Sequence, residues 1–370
     1  FMTAGHRSCH LSDVRIWLRL SVTFVVRDDC MLKQTGIGRK LLIVTDAWRP
    51  QFNGVVQTYI WLQRELPSLG VEVEFLTPEG FRTVAMPTYP DIRLSITSAR
   101  AVRERIERSN PGMIHIATEG PLGWLARRWC VASGFAFTTC YHTRYPEYVA
   151  ARFPVPLSWS YAVMRRFHNS ASGTLVATLG LAEELRGRGF RHVRHWRRGI
   201  DVELFRSGPV AELDLPRPLF LFVGRVAVEK NIEEFLRQDL PGSKIVVGDG
   251  PARKAMERQF PDARFLGAKF GDDLAAIYRA ADVFVFPSRT DTYGLVMAEA
   301  LAAGTPVAAF PGPGVDAIFD GSACGVADAD LRRAALDALQ TDPAICRETG
   351  ARHSIRASAQ AFLELLEPVE

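Results

Sequence analysis

Two acids eight positions apart, Asp291 and Glu299, bracket the turn Thr292-Tyr293-Gly294-Leu295, and two cations, Arg225 and Lys230, follow Gly224 closely. Carboxylates accept hydrogen bonds from hydroxyl groups, and fixed cations neutralise the charge that builds on a phosphoryl group as a bond to it breaks. A glycine turn leading into a helix adds unpaired backbone N–H groups and the positive end of the helix dipole, which favours a diphosphate. The combination suits a ligand with a pyrophosphate at one end and hydroxyls at the other, which describes a sugar nucleotide. Taken singly, the same residues have plainer uses: Asp291 as a helix cap, Glu299 as an ordinary helical surface acid, and Arg225 and Lys230 as ion-pair partners of Glu229 or Glu233.

These residues follow short apolar runs. Ala281-Asp282-Val283-Phe284-Val285-Phe286-Pro287-Ser288 is too short to span a membrane and is ended by its proline. The helix expected to start near Tyr293 or Gly294 is stopped by Ala303-Gly304-Thr305-Pro306, so the order is strand, loop, helix, strand. Leu219–Val223 is the strand before Gly224, and further strands are expected at 244–247, 263–266 and 307–310. Val247-Gly248-Asp249-Gly250 ends one of them in a turn without large side chains, where backbone can approach a ligand closely. Upstream, Leu41–Thr45 is continuously apolar, as in a strand buried on both faces. A loop with Asn53-Gly54 and a helix over 55–69 follow it, then strands over 71–76, 113–117 and 136–141 and a helix over 121–133. The alternation predicts an α/β protein with two doubly wound parallel sheets, and ligands of such sheets lie at the carboxyl ends of the strands.

The first half offers fewer groups. Gly54 can present an N–H to a phosphate or simply make a tight turn. His142 stands at a strand end in Tyr141-His142-Thr143-Arg144-Tyr145, where either a sugar contact or a structural role fits. Glu119-Gly120-Pro121 suits the acceptor side of a cleft or a helix cap.

A chain of 370 residues fits two domains of roughly 150 residues each. Hydrophobic content of 47%, charged content of 23% and a net charge of +4 describe a globular protein and give no support for nucleic acid as a partner. Cysteines 9, 30, 130, 140, 324 and 346 show neither metal-ligand nor disulfide spacing, which favours a reducing cytoplasm. Residues 1–39 read as a disordered or non-native extension, with Met31 as a natural start and a weak signal peptide as the alternative reading of 16–26. Between 152 and 198 nine arginines face only Glu183 and Glu184. Such a stretch is either a solvated surface or a peripheral contact with an anionic membrane on its inner, cytoplasmic face.

Thr45-Asp46-Ala47-Trp48-Arg49-Pro50, Tyr141-His142-Thr143-Arg144, Arg198-Gly199-Ile200-Asp201, Gly224-Arg225 with Lys230, and Thr290-Asp291-Thr292-Tyr293-Gly294-Leu295 with Glu299 occur in the order found in the retaining GT-B glycosyltransferases of family 4. The chain resembles that family from about Lys40 to about Val326. The resemblance implies two Rossmann-like domains facing across a cleft: 40–208 on the acceptor side, a linker at 209–218, and 219–345 on the nucleotide-sugar side. A C-terminal helix within 346–370, for which 351–366 is the candidate, is then expected to return to the first domain. It further implies that Arg225 and Lys230 grip the diphosphate, that Gly54, Gly294 and Leu295 line the donor, that Glu299 binds the ribose, that Asp291 contacts the donor sugar, and that His142 lies beside the transferred sugar. Asp291 where the family pattern begins with glutamate resembles the branch of α-mannosyl transfer and bacterial glycolipid synthesis. Asn53-Gly54 replaces the usual Gly-Gly, so Gly54 alone is carried over. The implied reaction moves mannose, glucose or glucuronate from GDP-mannose or a UDP-hexose to a lipid or lipid-linked glycan, with front-face attack, no metal and no other cofactor. A sugar-nucleotide epimerase, a nucleotide-sugar sensor and a transferase with a soluble acceptor are the alternatives.

Overall fold

The structure is a computed structural model that describes residues 40–366 apart from 52, 87, 88 and 290, and apart from the side chains of 86, 89–92, 151 and 152. The expected extension over 1–39, the last residues of the 346–370 segment and Thr290 of the acid-bearing loop lie outside the described residues. In chain order the first half contains β1 (Lys40–Val44), α1 (Gly54–Glu65), β2 (Glu72–Leu76), the hairpin β3 (Arg82–Met86) and β4 (Tyr89–Ile96), α2 (Ala99–Ser109), β5 (Met113–Ile116), α3 (Pro121–Ser133), β6 (Thr138–Cys140), α4 (Tyr145–Arg152), α5 (Leu157–His168), β7 (Gly173–Val176), α6 (Leu179–Gly187), β8 (Val193–His195) and α7 (Val202–Arg206). The second half contains β9 (Leu219–Val223), α8 (Ile232–Arg237), β10 (Ser243–Val247), α9 (Arg253–Gln259), β11 (Arg264–Gly267), α10 (Gly271–Ala280), β12 (Val283–Phe286), α11 (Leu295–Ala303), β13 (Val307–Ala309), α12 (Pro313–Phe319), β14 (Gly325–Ala327), α13 (Leu331–Ala338), α14 (Pro343–Ala351) and α15 (Ile355–Leu365).

Each half is built on a six-stranded parallel sheet, ordered β2-β1-β5-β6-β7-β8 in the first and β11-β10-β9-β12-β13-β14 in the second. The alternation of side chains along a strand explains why the central strands are apolar throughout. Leu41 and Ile43 face Tyr59, Leu62 and Phe362, while Leu42 and Val44 face Val102, Ile106 and Leu122. Leu219 and Leu221 likewise join Tyr278 and Leu301, with Phe220 and Phe222 against Phe235 and Ala334 on the other side. The two doubly wound sheets expected from the alternation are present.

Local differences from the sequence reading have simple causes. The helix expected over 55–69 runs as α1 to Glu65 and then tightens to a 3₁₀ turn over Leu66–Leu69, because Pro67 lacks an N–H. The helix expected over 351–366 is α15, which starts only at Ile355, after a break that separates it from α14. Between them Ile200 N donates to His353 O and Ile355 N to Ile200 O, a backbone bridge at 2.8 Å each. α15 then lies against α1, and Trp196 Nε1 donates to Ser358 O at 3.0 Å. The β3–β4 hairpin, β7, β8 and β14 were not expected: the three last are only three or four residues long, below what an apolar run can signal.

Candidate functional site

In the second sheet the strand order reverses between β9 and β12, and the crevice outside the carboxyl ends of such a pair is where open α/β sheets hold ligands. Gly224 and Arg225 leave β9, followed by a 3₁₀ turn at Val228–Lys230. The loop after β12 carries Asp291. Asn231 Nδ2 donates to Pro287 O at 3.1 Å and ties the two loops together. Lys230 Nζ meets Asp291 Oδ1 at 2.5 Å, 61 positions along the chain. Burial alone would depress the ammonium, but the charge and hydrogen bond of Asp291 outweigh it and hold the Lys230 pKa above its ordinary value. Lys230 is thus paired with Asp291 and not with Glu233, whose partner is Arg237, and no side chain caps the helix that follows Asp291.

α11 begins at Leu295, behind Gly294 in the left-handed region at φ 82°, and no side chain caps it. A side chain at Gly294 would also strike Met297 Cε at 2.6 Å and Phe286 Cζ at 3.0 Å, so the abrupt entry into the helix needs glycine. Glu299 sits one turn further on and is not a surface acid: it is 8% exposed and accepts from Tyr278 Oη at 2.9 Å. Burial pushes its carboxyl up to about 7, against the smaller lowering effect of that hydrogen bond. The glycines after β10 serve packing between loops: a Cβ on Gly248 would lie 1.9 Å from Gly224 O and one on Gly250 2.4 Å from Val226 O. The close backbone approach expected there is to the neighbouring loop.

From the first half, α1 starts at Gly54, where a Cβ would lie 3.6 Å from Leu295 Cδ1, so the starts of α1 and α11 face each other. Asn53 Oδ1 accepts from Val55 N and Val56 N at 3.0 Å each. The residue standing in place of a first glycine therefore caps α1 and engages two of its N–H groups. His142 is 5% exposed, with Nε2 2.9 Å from Tyr59 Oη and Nδ1 3.6 Å from Cys140 Sγ. Tyr59 Oη also reaches His115 Nε2 at 2.9 Å, and His115 Nδ1 reaches Thr138 Oγ1 at 2.8 Å. Burial first, and then the positive charge of Arg198, hold the His142 imidazole far below its ordinary pKa, so it is neutral. Its backbone carbonyl accepts from Thr292 Oγ1 at 2.9 Å, which places the histidine loop beside Asp291.

Two acids in the first half have structural work. Glu119 Oε1 lies 3.1 Å from His168 Nε2 and neither caps α3 nor opens to a cleft. α3 is capped instead by Asp46, whose carboxylate accepts from Leu122 N and Gly123 N at 2.9 and 3.2 Å. Sequence reading missed this cap because the acid is 76 positions from its partner. Between the halves, about 300 Å³ is enclosed by Arg144, Glu147 and Tyr148 on one side and Arg289, Asp291 and Thr292 on the other. Arg144 is held by a forked ion pair with Glu184 at 3.1 and 2.7 Å. The arginine-rich stretch is not one surface: Arg186 and Arg194 bind backbone carbonyls, Arg197 pairs with Asp320, and Arg198 is buried.

The structure thus brings Lys230 to Asp291, Gly54 to Leu295 and the His142 loop to Thr292, with Glu299 buried within α11 and Arg225 half-buried after β9. Among the described residues no group of His, Cys, Asp or Glu is arranged to hold a metal ion, and no helix is long and apolar enough to cross a membrane.

Residues 52–204 match the family described as Glycosyltransferase Family 4, and residues 217–341 match Glycosyl transferases group 1. A GDP-mannose-dependent alpha-mannosyltransferase of Mycobacterium tuberculosis is 28% identical over 300 residues, covering 74% of this chain and 79% of that protein. An alpha-monoglucosyldiacylglycerol synthase of Streptococcus pneumoniae is 24% identical over 368 residues, covering 86% and 82%. Among solved structures, a sucrose-phosphate synthase from Thermosynechococcus elongatus superposes with a TM-score of 0.67 at 21% identity, over 88% of this chain and 98% of that one, a likeness of fold. With its two facing Rossmann-like halves, the chain belongs to the family 4 glycosyltransferases of the GT-B fold, and is related to the GDP-mannose mannosyltransferases and the glycolipid glycosyltransferases.

Proposed function

We propose that this glycosyltransferase moves a hexose from a nucleoside diphosphate sugar, GDP-mannose or a UDP-hexose, to a hydroxyl of a lipid or lipid-linked glycan, with retention at the anomeric carbon. The observation that carries the reading is the meeting of Lys230 and Asp291 at the strand-order reversal, beside two helix starts that face each other. On this reading Arg225, Lys230 and the first N–H groups of α11 hold the diphosphate and neutralise it as the glycosidic bond breaks. Glu299 accepts from the ribose, Asp291 from the sugar, and the loop of His142 packs beside the transferred ring. The departing phosphate itself takes the acceptor's proton on the same face, so the side chains act by orientation and charge, without a nucleophile or a metal.

A lipid acceptor is favoured by an apolar surface on the helix that packs against a cleft-lining helix. Phe153, Val155, Leu157, Trp159 and Val163 lie exposed in and before α5, with Trp159 70% exposed, and the last turn of that helix carries Arg165 and Arg166. α4, which supplies Glu147 and Tyr148 to the cleft, packs on α5. The relative from Streptococcus pneumoniae bears a glycolipid synthase name. The same surface supports peripheral attachment to a membrane, which on this reading is its cytoplasmic face.

Arg225→Ala and Lys230→Ala should each slow transfer on the order of a hundredfold or more, as loss of a charge contact to the leaving group does. Turnover is measured with GDP-mannose, UDP-glucose and UDP-glucuronate, after melting curves with GDP, UDP and ADP have identified the base by the rise in Tm. Near-normal turnover in both variants would overturn the assignment. Conversion of a donor without any acceptor would point to an epimerase.

A further inference from the structure

Arg198 is 5% exposed, yet its guanidinium has no carboxylate within ion-pairing distance among the described residues. Its Nε is buried without a hydrogen-bond partner. Nη2 makes one long hydrogen bond, 3.5 Å to Thr292 Oγ1, and the group lies 5.7 Å from the Tyr293 ring centre. The backbone is better secured than the charge: Arg198 O accepts from Tyr293 Oη at 3.1 Å, and Tyr293 Oη also lies 3.1 Å from His353 Nδ1. Its charge acts on Tyr59, Cys140 and His142 in the first half and on Tyr293 in the second, and none of them is an anion.

A guanidinium presents five N–H donors in a rigid fork and does not lose its proton, so burying it with one long hydrogen bond is costly unless an anion arrives. Two nearby arginines have carboxylate partners: Arg64 pairs with Asp201 at 2.7 Å within the first half, and Arg197 pairs with Asp320 of the second at 3.3 Å. Arg198 differs in pointing at the loop between Asp291 and the start of α11, two positions before Gly294. An incoming ligand whose negative charge sits at that helix start comes within the side chain's reach. Thr292 hydroxyl, which now accepts from Arg198 and donates to His142 O, is the residue that would release the guanidinium.

We propose that Arg198 is a third cation of the donor site, waiting for a non-bridging oxygen of the β-phosphate and stabilising the nucleoside diphosphate as it leaves. This rests on the reading of the cleft as a nucleoside diphosphate sugar site and adds to it a residue from the first half. Closure on the donor is then not only a matter of the two cations after β9; the half that carries the acceptor also binds the leaving group.

The test uses the full chain with Arg198→Met and Arg198→Lys, titrated calorimetrically with the nucleoside diphosphate that the wild type binds and with the corresponding monophosphate. Arg198→Met should weaken the diphosphate about 10- to 100-fold, the range of a charged hydrogen bond, and leave the monophosphate within about twofold. Arg198→Lys should recover part of the loss. Without ligand, the Tm of Arg198→Met should equal or exceed that of the wild type, because an unpaired buried charge has been removed. Wild-type diphosphate affinity in Arg198→Met, or a lower ligand-free Tm with the ligand-induced rise intact, would show a structural tie and overturn the inference alone. A wild type that binds no GDP, UDP or ADP would bring down the donor reading itself.

Discussion

Glu299 illustrates how a residue can be legible in type and illegible in state. Its spacing from Asp291 marks it in the sequence, but its burial and its bond to Tyr278 depend on α10 and α11 packing together. Burial raises its pKa from the ordinary 4.5 to about 7, so between those values the folded protein keeps a proton that the unfolded chain has released. Stability therefore falls as pH rises through that window, by about 3 kcal/mol once both forms are ionised. Glu299→Gln keeps an acceptor for Tyr278 and removes the titration. Melting curves from pH 5 to pH 8 should be flatter for the variant, and its Tm at pH 8 should be higher than that of the parent. A residual slope of the same sign remains from Asp46, which burial pushes up to about 6. Donor affinity should move the other way, falling on the order of tenfold, since a neutral amide is the weaker acceptor for a ribose hydroxyl. An unchanged slope would mean that Glu299 is hydrated in the folded protein. His142 shows the opposite limit: the sequence displays the residue at a strand end, and nothing local reveals that both ring nitrogens are engaged by Tyr59 and Cys140.

At the scale of elements, what was legible follows from continuity of apolar sequence. β9, β12 and α3 have the bounds that their composition dictates, because Leu219–Val223 and Val283–Phe286 are buried on both faces and α3 has a proline at its start and Gly134 after its end. β6, β7 and β8 are three or four residues long, and β6 and β7 are partly hydroxylic, as in Thr138-Thr139-Cys140, so tertiary pairing defines them. The arginine-rich stretch misleads for a related reason: charge is visible in sequence, but which arginines turn inward is decided by partners such as Val193 O and Leu365 O. The exposed element is the loop before α5 with the face carrying Leu157, Trp159 and Val163. If it lies on a bilayer, Phe153→Ser with Trp159→Ser should reduce binding to vesicles containing anionic phospholipid by roughly 10- to 100-fold, the worth of withdrawing two large apolar side chains in part. Sedimentation with vesicles measures it. Turnover on a short soluble acceptor should stay near that of the parent, since neither residue borders the enclosed cleft. Equal vesicle binding by parent and variant would remove the membrane from the proposal.

For the molecule as a whole, alternating strands and helices were enough to indicate two doubly wound sheets, and motif order was enough to indicate how they face each other. How the halves are joined was less legible, because it rests on contacts between distant segments. Tyr293 of the second half binds Arg198 O of the first, and the bridge between Ile200 and Ser354 turns the chain out of α14 toward the first sheet. α15 follows α14 in sequence yet completes the core of the other half: Phe362 lies 4.8 Å from the Trp196 ring and edge-on to His115 at 4.9 Å, among Leu41, Ile43 and Tyr59. His115 in turn begins the hydrogen-bond chain through Tyr59 to His142, so the packing of this last helix supports the wall of the cleft. Phe362→Ala should therefore cost about 3–5 kcal/mol, the range for emptying a buried aromatic site, whereas Glu364→Ala on the exposed side of the same helix should stay within about 0.5 kcal/mol. Phe362→Leu, which fills most of the space, should fall between them. Denaturant titrations followed by circular dichroism give all three values, and equal losses for Phe362→Ala and Glu364→Ala would mean that α15 lies on the first half without closing its core.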